Sequence, residues 1–253
     1  MKVPPDHPRA ESLHIREKLV ENHQTNVVAT AGLIAHGRGE AFDYLLGEKT
    51  TEPALKAIRA AASSLILAAK PVISVNGNVA ALVSKDIVQL AQVADAKIEI
   101  NLFYRSIKRE TAIKNLLKKS GAKEVLGVGE NASSKIPELG SERRRVDPRG
   151  ILTADVVFVP LEDGDRTEAL IEMGKKVITI DLNPLSRTAQ KATITIVDNV
   201  VRATPRLIET VRELKTNTIK AHEVLQRFDN SRNIANSISM IKKRLSKIAE
   251  ENK

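Results

Sequence analysis

The chain has 253 residues, of which 42% are hydrophobic and 28% are charged, a composition that predicts a folded protein and argues against disorder. It contains no cysteine, which excludes disulfides, thiolate nucleophiles and cysteine-built zinc sites and fits a reducing cytoplasm. The net charge of +9 indicates an anionic partner, but only 2% of the residues are aromatic, so small phosphorylated ligands are favoured over single-stranded nucleic acid. No signal-peptide pattern and no membrane-spanning apolar run is found, so we expect a soluble, unexported protein.

The first 70 residues predict a helical N-terminal part. Apolar residues recur at helical spacing within residues 8–22, and the alanine-rich segment 53–69 predicts a buried helix. Between these two segments, the small residues around His36 and Arg38 predict a tight loop that precedes another helix.

Beyond residue 70, six short apolar runs alternate with segments of helical periodicity. The runs are PVISVNGN (71–78), KIEINLFY (97–104), EVLGVG (124–129), ADVVFVPLEDGD (154–165), KVITIDLN (176–183) and ATITIVDN (192–199). They are too continuous for burial on one side only, which is typical of a parallel sheet covered on both faces. We therefore predict an α/β fold with a Rossmann-like, doubly wound and mostly parallel sheet, in one catalytic domain at residues 1–214.

Two segments lie outside this alternation. Residues 130–150 form a polar excursion longer than most connections in compact domains, which predicts a mobile or functional segment. Residues 215–253 predict a basic helical extension with nine Lys or Arg and four Asp or Glu, so it carries +5 of the net charge. Its apolar residues recur in a heptad pattern at Ile234, Ile238, Ile241, Leu245 and Ile248. We favour a solvated helix face over nucleic-acid binding for this extension, and docking on the body or on a dimer mate stays open.

Polar groups gather where the predicted strands end, and ligands of doubly wound sheets bind at those ends. These groups are Asn76 to Asn78, Tyr104 and Arg105, Glu162 to Asp165, and Asp181 to Thr188. The chain has no G-x-x-x-x-G-K-[ST] phosphate loop, and Gly37-Arg38-Gly39 lacks the preceding strand and the third glycine of a dinucleotide fingerprint. No H-E-x-x-H motif or histidine cluster predicts a metal site, although carboxylates can hold Mg²⁺ through bound phosphates.

The loop at residues 76–78 has two interpretations. A helix that begins there would direct backbone N–H groups at an anion, and Gly77 would allow its close approach. Alternatively, Asn76 and Asn78 serve only as turn and cap residues.

The acidic segment at residues 162–165 also has a structural and a functional interpretation. Asp165 and Glu168 have the spacing of a capping-box variant, so Asp165 is the structural candidate. Glu162 and Asp163 are then freer to act on a metal ion or an amine.

The segment DLNPLSRT and the lone histidine at position 36 complete the candidate site. Asp181 is placed to bind ribose hydroxyls, and Arg187 and Thr188 to bind phosphate, unless the segment is a capped, proline-led turn with a surface arginine. His36 is a candidate general base or phosphate ligand, although a lone histidine is more often only hydrogen-bonded in a polar crevice.

Several long blocks of the sequence carry a resemblance to a known family. They are HPRAESLHIREKLV, AGLIAHGRGEAFDYLLGEKT, PVISVNGN, NLFYR, SERRRVDPRGI, ADVVFVPLEDGDRTEALIEMGK, VITIDLNPLSRTAQ and ATITIVDNVVRA. Together they closely resemble the archaeal phosphopantothenate synthetase family, also called 4-phosphopantoate–beta-alanine ligase. The resemblance covers roughly residues 3 to 214, and we expect the segment after Leu214 to lie outside it.

The resemblance implies a cytoplasmic, homodimeric ligase of coenzyme A biosynthesis with a Rossmann-like core. It implies that 4-phosphopantoate and beta-alanine are joined to 4'-phosphopantothenate through an acyl-adenylate, that ATP is converted to AMP and diphosphate, and that Mg²⁺ serves as a cofactor. It also implies the residues that contact ATP, which are Arg16, Arg38, Asp181, Leu182, Asn183, Arg187, Thr188, Asn199 and Val200.

Two hypotheses about the other substrates go beyond the resemblance. We expect Arg105 and the loop of residues 76–78 to hold the substrate phosphate. We expect Glu162 or Asp163 to receive the ammonium group of beta-alanine or Mg²⁺.

The sequence leaves two rival functions open. One is a basic nucleic-acid-binding or scaffold protein that uses the C-terminal extension, for which binding to a duplex would depend on salt. The other is a Rossmann-like kinase on a pantoate-like substrate, which would release ADP in place of AMP.

Overall fold

The computed structural model describes residues 4, 6, 7, 9–136 and 142–251. In this part of the chain the helices are α1 (Ala10–Gln24), α2 (Thr30–Leu46), α3 (Glu52–Ile66), α4 (Gly77–Ala94), α5 (Ile107–Lys119), α6 (Gly164–Glu172), α7 (Arg187–Lys191), α8 (Val200–Lys215), α9 (Thr218–Arg227) and α10 (Asn230–Glu251). The strands are β1 (Pro71–Val75), β2 (Lys97–Ile100), β3 (Ser134–Lys135), β4 (Arg145–Val146), β5 (Val156–Phe158), β6 (Lys176–Ile180) and β7 (Ile194–Ile196).

Five of the strands form one parallel sheet in the order β2-β1-β5-β6-β7, which confirms the predicted α/β fold. The chain adds β2 on one side of β1 and then returns to add β5, β6 and β7 on the other side. The direction of winding therefore reverses between β1 and β5, and a crevice is expected there at the carboxyl ends of the strands. Neighbouring strands are about 4.8 Å apart, so β2 and β7 are roughly 19 Å apart.

The side chains of the central strands alternate between two apolar cores. Ile73 and its register neighbours Phe158 and Ile178 point to one face, where they pack with buried residues of α3, α4 and α8. Val72 and its partner Val157 point to the other face, which is covered by α6 and by the described residues Ile136, Val146 and Ile151. Each such buried side chain contributes about 1.5–3 kcal/mol to the stability of the fold. The sheet edge that carries the polar groups is therefore supported by an apolar core on both faces.

Helix α2 runs without interruption through Gly37-Arg38-Gly39, so the predicted loop around His36 and Arg38 is wrong. A Cβ atom on Gly37 would meet open space, and one on Gly39 would lie 3.8 Å from Leu182. The small residues therefore allow a helix to pass close to the sheet edge, and they do not break it.

The predicted strand at residues 124–129 is also wrong. Only Leu126 pairs with the sheet, as an isolated parallel bridge to Glu99 of β2. Gly127 and Gly129 have φ angles of 75° and 59°, in the left-handed region, so the backbone leaves the extended conformation directly after Leu126.

The polar excursion at residues 130–150 is folded against the sheet, although residues 137–141 lie outside the described residues. Its strands β3 and β4 pair antiparallel. The buried carboxylate of Glu99 accepts hydrogen bonds from the backbone N–H groups of Asp147 (3.1 Å) and Ile151 (2.7 Å). Burial raises the pKa of Glu99 to about 7, although these N–H groups act in the opposite direction. Glu99 therefore ties the end of the excursion to β2.

The C-terminal extension is only partly separate from the body. Helices α9 and α10 pack on α3, and the Asn230 side chain accepts a hydrogen bond from the backbone N–H of Thr195 in β7 at 2.7 Å. In the predicted heptad seam Ile234 is buried, whereas Ile238 and Leu245 are 36% and 43% exposed. Ile241 packs partly buried against Leu46 and Val197, so the seam is covered at Ile234 and Ile241 and exposed at Ile238 and Leu245. Within the described residues, no helix combines the length and apolar character needed to cross a bilayer.

Candidate active site

A cavity of about 580 Å³ lies at the carboxyl ends of the parallel strands, where the reversal of winding predicts a ligand site. The predicted site residues that line it are His36, Arg38, Asn76, Gly77, Asn78, Glu162, Asp163, Asp181, Leu182, Asn183, Arg187, Thr188, Asn199 and Val200. Arg16 and Arg105 do not line it. We name its two ends by their strands: the β6–β7 half, with residues 181–188, and the β1–β2 half, with residues 76–78 and the segment after β2.

Four helices direct their N-termini at this cavity. Asn76, Asp163, Ser186 and Asn199 are the N-caps of α4, α6, α7 and α8, and the side chain of each accepts a hydrogen bond from a backbone N–H in the first turn. These residues or their immediate successors line the cavity. Free N–H groups and the positive dipole ends of helices favour anions, so the cavity is suited to a polyanionic ligand.

In the β6–β7 half, the Asp181 side chain stabilises the turn at residues 181–186 by hydrogen bonds. Its carboxylate accepts hydrogen bonds from the Ser186 hydroxyl and from the backbone N–H of Asn183 at 2.9 Å. Burial raises the pKa of Asp181, while these two groups and the charge of Arg38 act to lower it. The segment is therefore a capped turn, which was the structural alternative, and it also faces the cavity.

The two cations of this half differ in their partners. Arg38 extends from the middle of α2 and forms no ion pair with a carboxylate in the described part of the chain. Arg187 pairs with Asp165 and lies 3.6 Å from Glu168. A Cβ atom on Gly164 would lie 2.5 Å from Nε of Arg187, so glycine is required for this approach.

The beginning of α8 is fixed to α2 by buried polar contacts. Nδ2 of Asn199 donates to Asp43 at 2.9 Å, and Arg202 donates to both Asp43 and Asp198. These contacts hold Asn199 in place at the cavity wall.

At the centre of the cavity, the structure departs from the predicted roles of Glu162 and Asp165. The Glu162 side chain is 1% exposed and lies between Arg166, at 2.6 Å, and Arg143. Burial opposes its ionisation, but the charges of the two arginines outweigh this effect and hold the pKa of Glu162 below its ordinary value. Glu162 is therefore a buried counterion and is not free to bind an amine.

Asp163, and not Asp165, is the cap of α6. Oδ1 of Asp163 accepts from the backbone N–H of Arg166 at 3.2 Å, and Oδ2 pairs with Arg143. The Asp163 side chain is 41% exposed, so it is the carboxylate of this segment with access to the cavity. Asp165 is solvent-exposed and pairs with Arg187, so the predicted capping-box role is wrong.

In the β1–β2 half, the residues of the VNGN loop are committed to the fold. The Asn76 amide donates to Leu161 O at 2.9 Å, and the Asn78 amide donates to Gly32 O at 2.8 Å. A Cβ atom on Gly77 would lie 2.2 Å from Val27 O, so the close approach that this glycine permits is made by the chain itself. The cap interpretation therefore holds for Asn76, whereas Asn78 lies in the first turn of α4 and joins it to α2.

The structure places Arg105 outside the cavity. Its side chain is 3% exposed, forms an ion pair with Glu110 at 2.5 Å and donates to Gly127 O at 2.6 Å. The expectation that Arg105 holds the substrate phosphate is therefore wrong, because its guanidinium group is buried against Glu110 and Gly127.

Arg16 of α1 and His36 of α2 both lie beside Glu40. Arg16 makes two hydrogen bonds to Glu40, at 2.7 and 2.8 Å, and does not enter the cavity, so its contact with ATP stays a prediction. Nε2 of His36 is 4.0 Å from Glu40, and burial lowers the pKa of His36 more than this carboxylate raises it. His36 lines the cavity with its neutral form favoured, so its role as a base stays a prediction.

Sequence reasoning missed two cations, Arg109 and Arg143, which line the β1–β2 half. A signal for Arg109 existed, because it follows the cap residue Ser106 by three positions and so lies in the first turn of α5. Arg143 is the first of three consecutive arginines in the excursion, and no periodicity identifies which of them faces the cavity.

Comparisons with known proteins show which family the chain resembles. Residues 53–244 match the family described as phosphopantothenate/pantothenate synthetase. A protein of Thermococcus onnurineus named 4-phosphopantoate–beta-alanine ligase is 54% identical over 252 residues, which cover 99% of this chain and 96% of that protein. Proteins of the same name from Thermococcus kodakarensis and Methanosarcina mazei are 53% and 52% identical and cover 99% and 98% of this chain, and 96% and 98% of their own lengths. The similarity extends beyond Leu214, so the expectation that it ends there is wrong.

Proposed function

The chain belongs to the phosphopantothenate/pantothenate synthetase family, and we propose that it condenses 4-phosphopantoate with beta-alanine to 4'-phosphopantothenate in coenzyme A biosynthesis. ATP is cleaved to AMP and diphosphate in this reaction. The observation that carries the proposal is the cavity on which four helix N-termini converge, in a chain more than half identical to ligases of that name.

ATP binds in the β6–β7 half. Arg38, without a carboxylate partner in the described part of the chain, and Arg187 are placed to contact its phosphates, and the beginnings of α7 and α8 add N–H groups. Arg187 exchanges Asp165 for a phosphate when the nucleotide enters. The turn at residues 181–183 forms the adjoining wall for the nucleoside.

The acid is activated at the centre of the cavity. A carboxylate oxygen of 4-phosphopantoate attacks the α-phosphorus of ATP, the bond to diphosphate breaks, and an acyl-adenylate forms. The helix N-termini stabilise the charge that develops on the phosphate oxygens. The cavity walls exclude water from the acyl-adenylate, which is otherwise hydrolysed.

The amine then opens the acyl-adenylate. The nitrogen of beta-alanine attacks the acyl carbon, the bond to AMP breaks, and the amine loses its protons to solvent or to a base, for which neutral His36 is the candidate on the cavity wall. Asp163 fits the incoming ammonium group better than Glu162, because its side chain has access to the cavity. Asp163→Asn keeps a helix cap and should raise the KM for beta-alanine; an unchanged KM would remove Asp163 from this role.

Mg²⁺ is proposed to arrive with ATP. The described residues contain no group of three or more His, Asp or Glu side chains placed to hold a metal ion. Mg²⁺ commonly takes one or two carboxylates together with phosphate oxygens and water, and Asp163 meets that requirement. When bound, the ion would neutralise charge on the triphosphate.

We also propose a homodimer. The exposed part of the α10 seam, which includes Ile238 and Leu245, offers apolar side chains to a second copy. Light scattering should give about twice the chain mass at micromolar concentration, and a single chain mass would contradict the dimer.

One assay tests the activity directly. The purified protein is incubated with ATP, Mg²⁺, 4-phosphopantoate and beta-alanine, with single omissions, and the nucleotide products are identified. AMP that requires both the acid and the amine supports the ligase. ADP would support the rival kinase, and no nucleotide turnover would remove both.

A further inference from the structure

A buried polar network joins α2 to the beginning of α8. Asp43 of α2 accepts two hydrogen bonds from Arg202, at 3.0 and 2.5 Å, and one from Nδ2 of Asn199 at 2.9 Å. Arg202 also donates to Asp198, at 2.9 and 3.1 Å. The side chains of Asp43 and Asp198 are 7% and 0% exposed, so both carboxylates depend on these partners and not on water. The two helices are therefore joined through buried charged groups.

This network determines how the polar groups of Asn199 are used. Oδ1 of Asn199 accepts from the backbone N–H of Val201 at 3.1 Å, and the backbone N–H of Asn199 donates to Asp198 at 2.7 Å. Together with the bond from Nδ2 to Asp43, these contacts commit Asn199 to the fold. Val200 lines the cavity, and its backbone N–H makes no hydrogen bond to any described residue. At the beginning of α8, this N–H is therefore the donor that is left for a ligand.

From this geometry we propose that Asp43 is a positioning residue of the nucleotide site, which orients the Asn199 amide so that the N–H of Val200 is directed at bound ATP. The inference rests on the proposed function, in which ATP binds the β6–β7 half. Asp43 does not line the cavity, so it acts through Asn199. A carboxylate can only accept hydrogen bonds, and it therefore selects the amide orientation in which the oxygen faces the helix.

The same carboxylate fixes the separation of two helices that face the nucleotide. Arg38, Gly39 and Phe42 of α2 line the cavity, and Asp43 follows Phe42 directly in the chain. A contact site needs its groups held to within about 0.5 Å, which requires supporting residues that are themselves fixed. Asp43 meets this requirement for Arg38 on one helix and for Val200 on the other, so that both can contact one ATP molecule.

The alternative is that the network contributes only to stability, and binding measurements separate the two roles. We would measure the Kd of ATP with Mg²⁺, without the other substrates, for wild type, Asp43→Ala and Asp43→Asn by isothermal titration calorimetry. Thr50→Val is the matched control, because it removes the 2.7 Å hydrogen bond from Thr50 to Asp198 in the same network and leaves Asn199 untouched. Thermal unfolding of each variant sets a titration temperature at which it is folded.

Asp43→Ala should raise the Kd of ATP at least about tenfold, whereas Thr50→Val should stay within about twofold of wild type even if it lowers the unfolding temperature. In steady-state kinetics, Asp43→Ala should raise the KM for ATP and leave the KM for beta-alanine within about twofold of wild type. An unchanged Kd in Asp43→Ala would overturn the proposal, as would an equal rise in Thr50→Val.

The conservative variant keeps the test decisive if Asp43→Ala does not fold. Asp43→Asn retains one oxygen for Asn199 and loses the charge that faces Arg202, so its Kd should be about threefold above that of wild type and below that of Asp43→Ala. A Kd equal to that of wild type would count against the role of the carboxylate.

A double-mutant cycle tests whether Asp43 acts through Asn199. Asn199→Ala removes the amide that Asp43 orients, so the further change Asp43→Ala should alter the Kd of ATP by less than about twofold. If the effects of the two substitutions instead multiply, Asp43 acts independently of Asn199 and the proposal is wrong.

Failure of the proposed function is recognised separately. A wild-type protein that binds ATP but forms no AMP with both substrates would contradict the ligase, and the Kd values would still decide the role of Asp43. A wild-type protein that does not bind ATP would overturn both.

Discussion

The two halves of the cavity are built in different ways. The β6–β7 half is made by residues that directly follow two strands in the sequence, such as Asp181 to Asn183 and Asn199. The β1–β2 half takes Arg109 from inside α5 and Arg143 from an excursion that Glu99 fastens to the sheet. A site made by strand ends is visible in a sequence, whereas one made by a distant segment depends on what holds that segment in place.

The largest expected effect is at Glu162, where the two halves meet. Glu162→Ala leaves Arg166, which is fully buried, without its carboxylate, so the free energy of unfolding should fall by about 3–5 kcal/mol. Urea denaturation measures this loss. Glu168→Ala, a change in a partly exposed pair on α6, the helix that carries Arg166, should cost less than about 1 kcal/mol. Equal losses in the two variants would show that Glu162 does not join the halves.

Glu99 makes the β1–β2 half sensitive to pH. Below pH 4.5 its carboxyl group is protonated in both the folded and the unfolded chain. Between pH 4.5 and about 7 the unfolded chain releases this proton and the folded chain keeps it, so the stability contribution is lost as pH rises and is constant above about 7. The shift from 4.5 to about 7 corresponds to about 3 kcal/mol.

Denaturation at a series of pH values checks this slope. Glu99→Gln cannot ionise, so the fall in stability between pH 4.5 and 7 should be reduced by a similar amount relative to wild type. A parallel pH profile in the variant would mean that other groups account for the slope.

Two glycines compare the β1–β2 half with an open position on α2 at the level of a single methyl group. Gly77→Ala places a Cβ 2.2 Å from Val27 O and 2.8 Å from Nη2 of Arg109, so stability should fall by about 1–3 kcal/mol and the KM for 4-phosphopantoate should rise. Gly37→Ala meets open space on α2 and should be neutral or stabilising by up to about 1 kcal/mol. Thermal unfolding and steady-state kinetics measure both. A neutral Gly77→Ala would show that the contact at α4 relaxes freely.

The smallest expected effect is selective for the β6–β7 half. Arg38→Gln removes a cation that has no carboxylate partner among the described residues, so stability should change little. The KM for ATP should rise about tenfold, which corresponds to about 1.4 kcal/mol, while the KM for 4-phosphopantoate stays near the wild-type value. A rise confined to 4-phosphopantoate would reverse the assignment of the two halves.

Much of the architecture followed from local pattern. Continuous apolar runs alternating with helical segments predicted the parallel sheet, and the strand-end rule predicted the edge at which the cavity lies, with residues such as Asn76, Asp181 and Asn199 on its walls. The strand at residues 124–129 was wrong because two glycines adopt left-handed φ angles, and the loop around Arg38 was wrong because a helix tolerates small residues.

The sequence by itself determined the fold class, the edge of the sheet at which the cavity lies and the family, because these depend on residue patterns close together along the chain. Only the tertiary structure decided that Arg109 and not Arg105 faces the cavity, and that Asp163 and not Asp165 caps α6. The physical reason is that charged residues close together in the sequence have similar chemistry and differ in the direction in which their side chains point. Direction is set by the phase of a helix and by long-range partners such as Glu110 and Arg143.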